Sequence, residues 1–213
     1  MVERPLDPEE LTLEEGAYLV KVARQVVERF FLGERPKLER GPEKLRRPGA
    51  AFVTIEKLSK RGKELRGCVG FVEPARPLED AVTEAALAAA FEDPRFPPLK
   101  FSELPLSVFE VTVLSRLSIL PGEPEERPKK VEVGRMGLVV KHGIFSGLLL
   151  PQVPVEHGWD AETFLSYTCL KAGMRADCWK RREVEVYYFT GRIFAEKEPG
   201  GDVEERILRT TSE

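Results

Sequence analysis

One six-residue block gathers the groups in this chain best able to do chemistry: Leu65-Arg66-Gly67-Cys68-Val69-Gly70. Side chains alternate along an extended segment, so Arg66 and Cys68 are expected on one face, with Leu65 and Val69 on the other. A guanidinium beside a thiol favours the thiolate, the nucleophilic form of cysteine. Gly67 and Gly70 remove bulk on either side of the sulfur and leave room for a ligand or a second backbone. Asp93 and Arg95 follow a helix that should pack over the same sheet, and Arg95 is expected to bring a second positive charge to the rim of a shared concave site. Two guanidiniums around a thiol suit a phosphate- or carboxylate-bearing small molecule. The competing reading makes Cys68 a small buried hydrophobe and pairs Arg66 and Arg95 with Glu73 and Asp93, so that the cluster is structural. The residue types alone leave both readings open.

Nucleophilic cysteine chemistry also needs a base and an oxyanion-stabilising group. The two histidines, His142 and His157, are expected at a hairpin tip and in the loop before Trp159, and neither is read as a base. Glu73 or Asp93 could move a proton instead, but a carboxylate close to a thiol raises the thiol pKa by like-charge repulsion. The cysteines Cys68, Cys169 and Cys178 form no CxxC pair and have no metal-ligand spacing to the histidines, so no metal site is expected. Cys169 and Cys178 stand nine positions apart and could pair, although buried free thiols are the preferred reading. No phosphate loop or dinucleotide fingerprint is present, and no cofactor is expected. Trp159, Trp179, Tyr187 and Tyr188 are read as core anchors rather than base-stacking platforms.

The elements that must position these residues follow from periodicity. Thr12-Leu-Glu-Glu15 has the form of a capping box, and Leu19, Val22, Ala23, Val26, Val27 and Phe30 then recur at helical spacing up to Gly33. Residues 34–48 are charged and proline-rich and read as a loop. Residues 50–58 and 65–72 read as a hairpin turning at Arg61-Gly62-Lys63, and Pro77 opens an alanine-rich helix over residues 78–91. Residues 107–115 alternate like a half-buried strand, and residues 120–130 like a surface connection. Short strands are expected over 131–133, 138–141 and 144–150, a helix capped by Asp160 next, and a strand over about 183–189. Hairpins with segregated helices indicate an α+β fold: a two-lobed single domain, mainly antiparallel, with helices packed on the sheet. It should span residues 10–196, with a larger lobe of about 10–115 plus 183–196, a smaller lobe of about 117–180, and a tail over 197–213.

Of 213 residues, 33 are basic and 36 acidic, so a net charge of -3 gives no general attraction to a polyanion. Lys44, Arg46 and Arg47 make the best local basic patch, but it reads as solvated surface, and nucleic acid is not the expected partner. No apolar run approaches the ~20 residues a membrane helix needs, and the acidic start lacks the features of a secretory signal, so a cytoplasmic location is expected. The chain has no asparagine and glutamine only at positions 25 and 152, which suits a thermophilic source.

Four blocks in order carry a family resemblance. Leu65-Arg66-Gly67-Cys68-Val69-Gly70 resembles the signature block of the AMMECR1-domain family, and Asp93-Pro94-Arg95-Phe96-Pro97-Pro98 its second block. Glu132-Val133-Gly134-Arg135-Met136-Gly137-Leu138 resembles the third; Leu150-Pro151-Gln152-Val153 with Trp159-Asp160 resembles the fourth. The resemblance spans roughly residues 10–196 and implies a two-lobed α+β fold without an established activity. It also implies work beside a Memo-like or radical-SAM protein, here a separate chain. The function expected is therefore an enzyme component with a Cys/Arg-lined cleft, with a non-catalytic protein-interaction domain and a nucleic-acid-binding protein as alternatives.

Overall fold

The structure, a computed structural model, describes residues 4–34, 41–60 and 62–208. The expected loop over 34–48 falls partly on 35–40, and the expected turn partly on Arg61; both lie outside the described residues. The chain divides into two compact units, one running up to Arg116 and resuming over Arg192–Arg206, the other covering Leu117–Gly191 and resuming at Ile207.

In the first unit, the Thr12 hydroxyl accepts from the Glu15 N–H at 3.2 Å, and the Glu15 carboxylate accepts from the Thr12 N–H at 2.8 Å. Two of the donors that any helix leaves open at its start are thereby satisfied. Helix α1 (Leu13–Phe31) follows and buries Leu19, Val22, Ala23, Val26 and Val27. Strands β1 (Pro48–Ser59) and β2 (Gly62–Pro77) form an antiparallel hairpin that runs straight into helix α2 (Leu78–Phe91). Ala81, Ala85, Ala86 and Ala89 are buried, and their small side chains let α2 lie close on β1 and β2. Strand β3 (Ser107–Leu114) pairs with β1 on the side away from β2. The alternation in β3 predicts one solvated face, yet all eight residues are buried, including Glu110 and Thr112.

The second unit begins with β4 (Ser118–Ile119) and α3 (Arg127–Lys130). The strand expected over 131–133 does not form; the Val131 side chain joins the core from a loop. Arg127 is buried just before it and donates to the carbonyl oxygens of Trp179 and Val184, so it helps to anchor α3 in the unit. Strands β5 (Met136–His142) and β6 (Phe145–Leu149) form a hairpin around Gly143, whose φ of 56° favours glycine. A short helix, α4 (Gln152–His157), occupies a stretch read as loop. It tolerates Pro154 because the proline sits in the first turn, where N–H groups have no helical acceptor. Asp160 then caps α5 (Ala161–Lys171) by accepting from the Thr163 N–H at 2.8 Å.

Cys169 on α5 is bonded to Cys178, against the expectation of free thiols. The chain reverses after α5 through Gly173, at φ 73°, and returns Cys178 to a Cα separation of 5.9 Å. A nine-residue spacing thus closes because glycine supplies the turn.

Strand β7 (Glu185–Glu196) is antiparallel to β5 and β4 in its first part, within the second unit. Its last residues lie in the first unit and pair with β8 (Val203–Arg206), a strand formed inside the segment read as a tail. There the Glu196 carboxylate takes two hydrogen bonds from the buried Arg24 guanidinium and one from the Phe109 N–H, joining α1, β3 and β7. Every pair of strands described is antiparallel, and the fold is α+β. Among the described residues no helix is long and apolar enough to cross a membrane.

Candidate functional site

The signature block lies in β2 but is not evenly extended. Ile55 pairs with Gly67 and Glu56 with Leu65, so Arg66 is the extra residue of a β-bulge. A bulge cancels the alternation that would put Arg66 and Cys68 on one face. The Arg66 guanidinium instead meets Glu103 with two hydrogen bonds of 3.1 Å and donates to the Pro98 carbonyl oxygen at 3.1 Å. Glu103 also receives Lys57, which shares a face of β1 with the core residues Val53 and Ile55. Cys68 lies on the other face, where its sulfur accepts from the Thr54 hydroxyl at 3.2 Å. Arg66 and Cys68 therefore do not share a site.

Gly67 faces α2, and a Cβ there would run into the Ala89 carbonyl oxygen. At Gly70 a Cβ would press on the backbone of Ala51 and Phe52. Both glycines make room for the chain itself rather than for a ligand.

Strand β2 is at the end of the order of strands, and its outward backbone groups need partners. The second block supplies them. The Asp93 carboxylate accepts from the Cys68 N–H at 2.9 Å, and the Arg95 guanidinium donates to the Cys68 carbonyl oxygen at 3.2 Å. Arg95 and Asp93 are bonded to each other at 2.7 and 3.0 Å, so the pair serves Cys68 much as a neighbouring strand would. Glu73, read as a partner for Arg66, is exposed and makes no bond to it; Glu103 holds that place.

Charge at the junction follows from these bonds. Arg95 holds the Asp93 carboxyl down to about 2, with the Cys68 N–H adding to the effect. Arg66 likewise holds Glu103 down to about 2, helped by the Lys100 N–H and by Lys57. The Cys68 thiol is pushed up, chiefly by burial, which outweighs the Thr54 hydroxyl and the Arg95 charge. This is opposite in sign to the thiolate that the sequence suggested, because the guanidinium meant to activate the sulfur is turned away from it.

Thr54 and Glu110 join Cys68 in a row that sequence reading missed. Thr54 is opposite Cys68 in one direction and opposite Glu110 in the other. Glu110 is buried and bonded to Arg206, and burial raises its pKa despite that partner. The available signal was its place on the polar half of the β3 alternation. A carboxyl and a thiol whose pKa values are both raised by burial flank a hydroxyl, a row without a primed nucleophile.

The remaining candidates are elsewhere. Lys44 and Arg47 of the basic patch are paired with Glu15 and Glu10. His157, Trp159 and Tyr167 form a ring stack at centroid distances of 4.8 and 4.0 Å. Among the described residues no group of three or more His, Cys, Asp or Glu is placed to hold a metal ion.

An α+β chain whose first two blocks clasp each other across a strand edge defines a structural class, and comparison with known proteins gives it a family. The AMMECR1 family profile matches residues 20–194, and the chain belongs to that family. A protein of Thermofilum pendens is 50% identical over 93% of this chain and 97% of its own length. One from Aeropyrum pernix is 50% identical over 96% of this chain and 88% of its own. A crystal structure of an uncharacterised protein from Pyrococcus horikoshii is similar at a TM-score of 0.86 and 44% identity, covering 92% of this chain and 98% of that one.

Proposed function

We propose that the chain is a non-catalytic interaction domain, and that its signature block is the frame of a docking surface rather than a site of chemistry. The observation that carries this reading is a cluster of phenylalanines where α1, α2 and the 3-10 turn Phe101–Leu106 meet. Phe30 lies 4.3 Å from Phe91, and Phe31 lies 5.3 Å from Phe91 and 5.6 Å from Phe101, between ring centroids. Phe30 is 54% exposed and Phe101 60%, and exposed apolar side chains that adjoin one another mark interaction sites. Aromatic side chains already in contact offer large area at small entropy cost, which is what protein partners use as anchors. Glu103, gripped by Arg66, belongs to the same turn as Phe101, so the signature block holds the patch in shape.

A Memo-like or radical-SAM protein from the same organism is the partner to offer first. In titration calorimetry Phe101→Ser should abolish binding, Arg66→Ala should weaken it, and Cys68→Ser should leave it unchanged. Loss of binding in Cys68→Ser with none in Phe101→Ser would sink the proposal.

The second reading, an enzyme component acting on an anionic small molecule, is favoured by one observation: Cys68 and Glu110, both with pKa values raised by burial, flank the Thr54 hydroxyl. Against it stand two arginines already satisfied by Glu103 and Asp93. A covalent adduct on Cys68 after incubation with metabolite extract, absent in Glu110→Gln, would turn the choice toward it.

A further inference from the structure

The second unit contains a cavity of about 550 Å³ that no sequence motif marks. Local geometry explains it. The β5–β6 hairpin turns at Gly143, and Gly147 brings β6 against the backbone of Lys171 and Ala172 at the end of α5. The chain then reverses at Gly173, and the Cys169–Cys178 disulfide fixes the far end of that reversal. The space left between hairpin and reversal is lined by Phe145, Met174 and Cys178 as its apolar part, and by His142, Arg175 and Arg181 as its polar part. Its volume is within the range used by small-molecule sites, roughly 300–1,000 Å³.

The two guanidiniums are paired with exposed acids at the surface. Arg175 reaches Asp177 only at 3.3 and 3.4 Å, and its side chain is 88% exposed. Arg181 meets Glu183 at 2.5 and 2.8 Å, with the two side chains 58% and 50% exposed. Exposed pairs of this kind contribute little to stability, so either guanidinium can turn to an anion at small cost. His142 Nδ1 lies 3.2 Å from the Glu183 carbonyl oxygen. A carbonyl only accepts, so that nitrogen carries the hydrogen. Each guanidinium has one exposed carboxylate partner, Asp177 for Arg175 and Glu183 for Arg181, so an anion at the rim over the apolar floor would be held by exchange of those partners.

We infer that this cavity binds a small organic carboxylate with an apolar body, the carboxylate held by Arg175 and Arg181 and the body against Phe145, Met174 and the disulfide. A planar guanidinium matches a carboxylate edge with two parallel hydrogen bonds, and thioether and aromatic groups suit a flat apolar body. The site is independent of the phenylalanine patch and of Cys68.

The test uses the full oxidised chain labelled with carbon-13 at its methionine methyls, titrated with 2-naphthoate. Met174 lines the cavity and Met136 lies in β5, so the two methyls separate binding at the site from binding elsewhere. The expected result is a saturable shift of the Met174 methyl with Met136 unmoved. Affinity should fall roughly tenfold or more for neutral 2-naphthalenemethanol and for the Arg175→Gln/Arg181→Gln double variant, as expected when a charge-assisted contact is lost. Both substitutions are at exposed positions, and an unchanged Met136 signal checks the fold of the variant. The inference is overturned by equal affinity for acid and alcohol, by an unaffected double variant, by a shift seated at Met136, or by no saturation at concentrations on the order of 1 mM.

Discussion

Two regions of the molecule hold two arginines each, and they use them differently. Arg66 and Arg95 are bound to Glu103 and Asp93, and Asp93 is only 3% exposed; both guanidiniums also donate to backbone carbonyls. Arg175 and Arg181 are exposed, paired to exposed acids, and line a cavity. The first pair holds the chain to itself; the second is free to turn outward. Partial burial decides this, because a charge removed from water needs its partner at all times, whereas an exposed one can change partners. The family's best-marked block is thus the more internally satisfied of the two regions.

The largest expected effect breaks the first region. Gly67→Ala should cost about 3 kcal/mol in thermal unfolding, since the added methyl meets rigid backbone at Ala89. A cost under ~1 kcal/mol would mean that α2 does not press on β2 as described. Next comes the staple of the second region. Cys169→Ser opens a loop of nine residues' separation and should lower stability in urea by about 2–3 kcal/mol, with the Met174 methyl moving as the cavity wall loosens.

Acid distinguishes the regions more gently. Asp93 and Glu103 ionise near 2 in the folded chain against ordinary values of 3.8 and 4.5. A depressed folded pKa adds stability that is complete above the unfolded value and is lost as pH falls toward the folded one. Stability from the junction should therefore decline between about pH 4.5 and pH 2, with a flatter decline in Asp93→Asn followed by circular dichroism. The smallest effect belongs to Arg175→Gln/Arg181→Gln, whose melting should stay within about 0.5 kcal/mol of the parent. A larger loss would place those arginines with Arg66 and Arg95 as parts of the frame.

Much of the fold was legible where local rules act alone. The Thr12 box, the α2 start after Pro77 and the Asp160 cap are set by a few neighbouring residues. What could not be read depends on chain segments meeting. The bulge at Arg66 is visible only in the register between β1 and β2, and it reversed the face on which the site reading rested. Glu103 became the partner of Arg66 because a 3-10 turn brings it there, a placement no periodicity announces. The disulfide depends on a reversal at Gly173, and burial on both faces of β3 hid Glu110 behind a half-buried pattern.

The central claim is that the signature block frames the chain and does not prime a nucleophile. Cys68 is the free cysteine, so alkylation by iodoacetamide, followed by mass across a pH series on the folded oxidised protein, reads its thiol directly. Burial and the turned-away Arg66 predict a midpoint above the ordinary value of 9.0, with slow modification at neutral pH. A midpoint below 9.0, with rapid modification near pH 7, would contradict the account and return Cys68 to the role of activated thiolate.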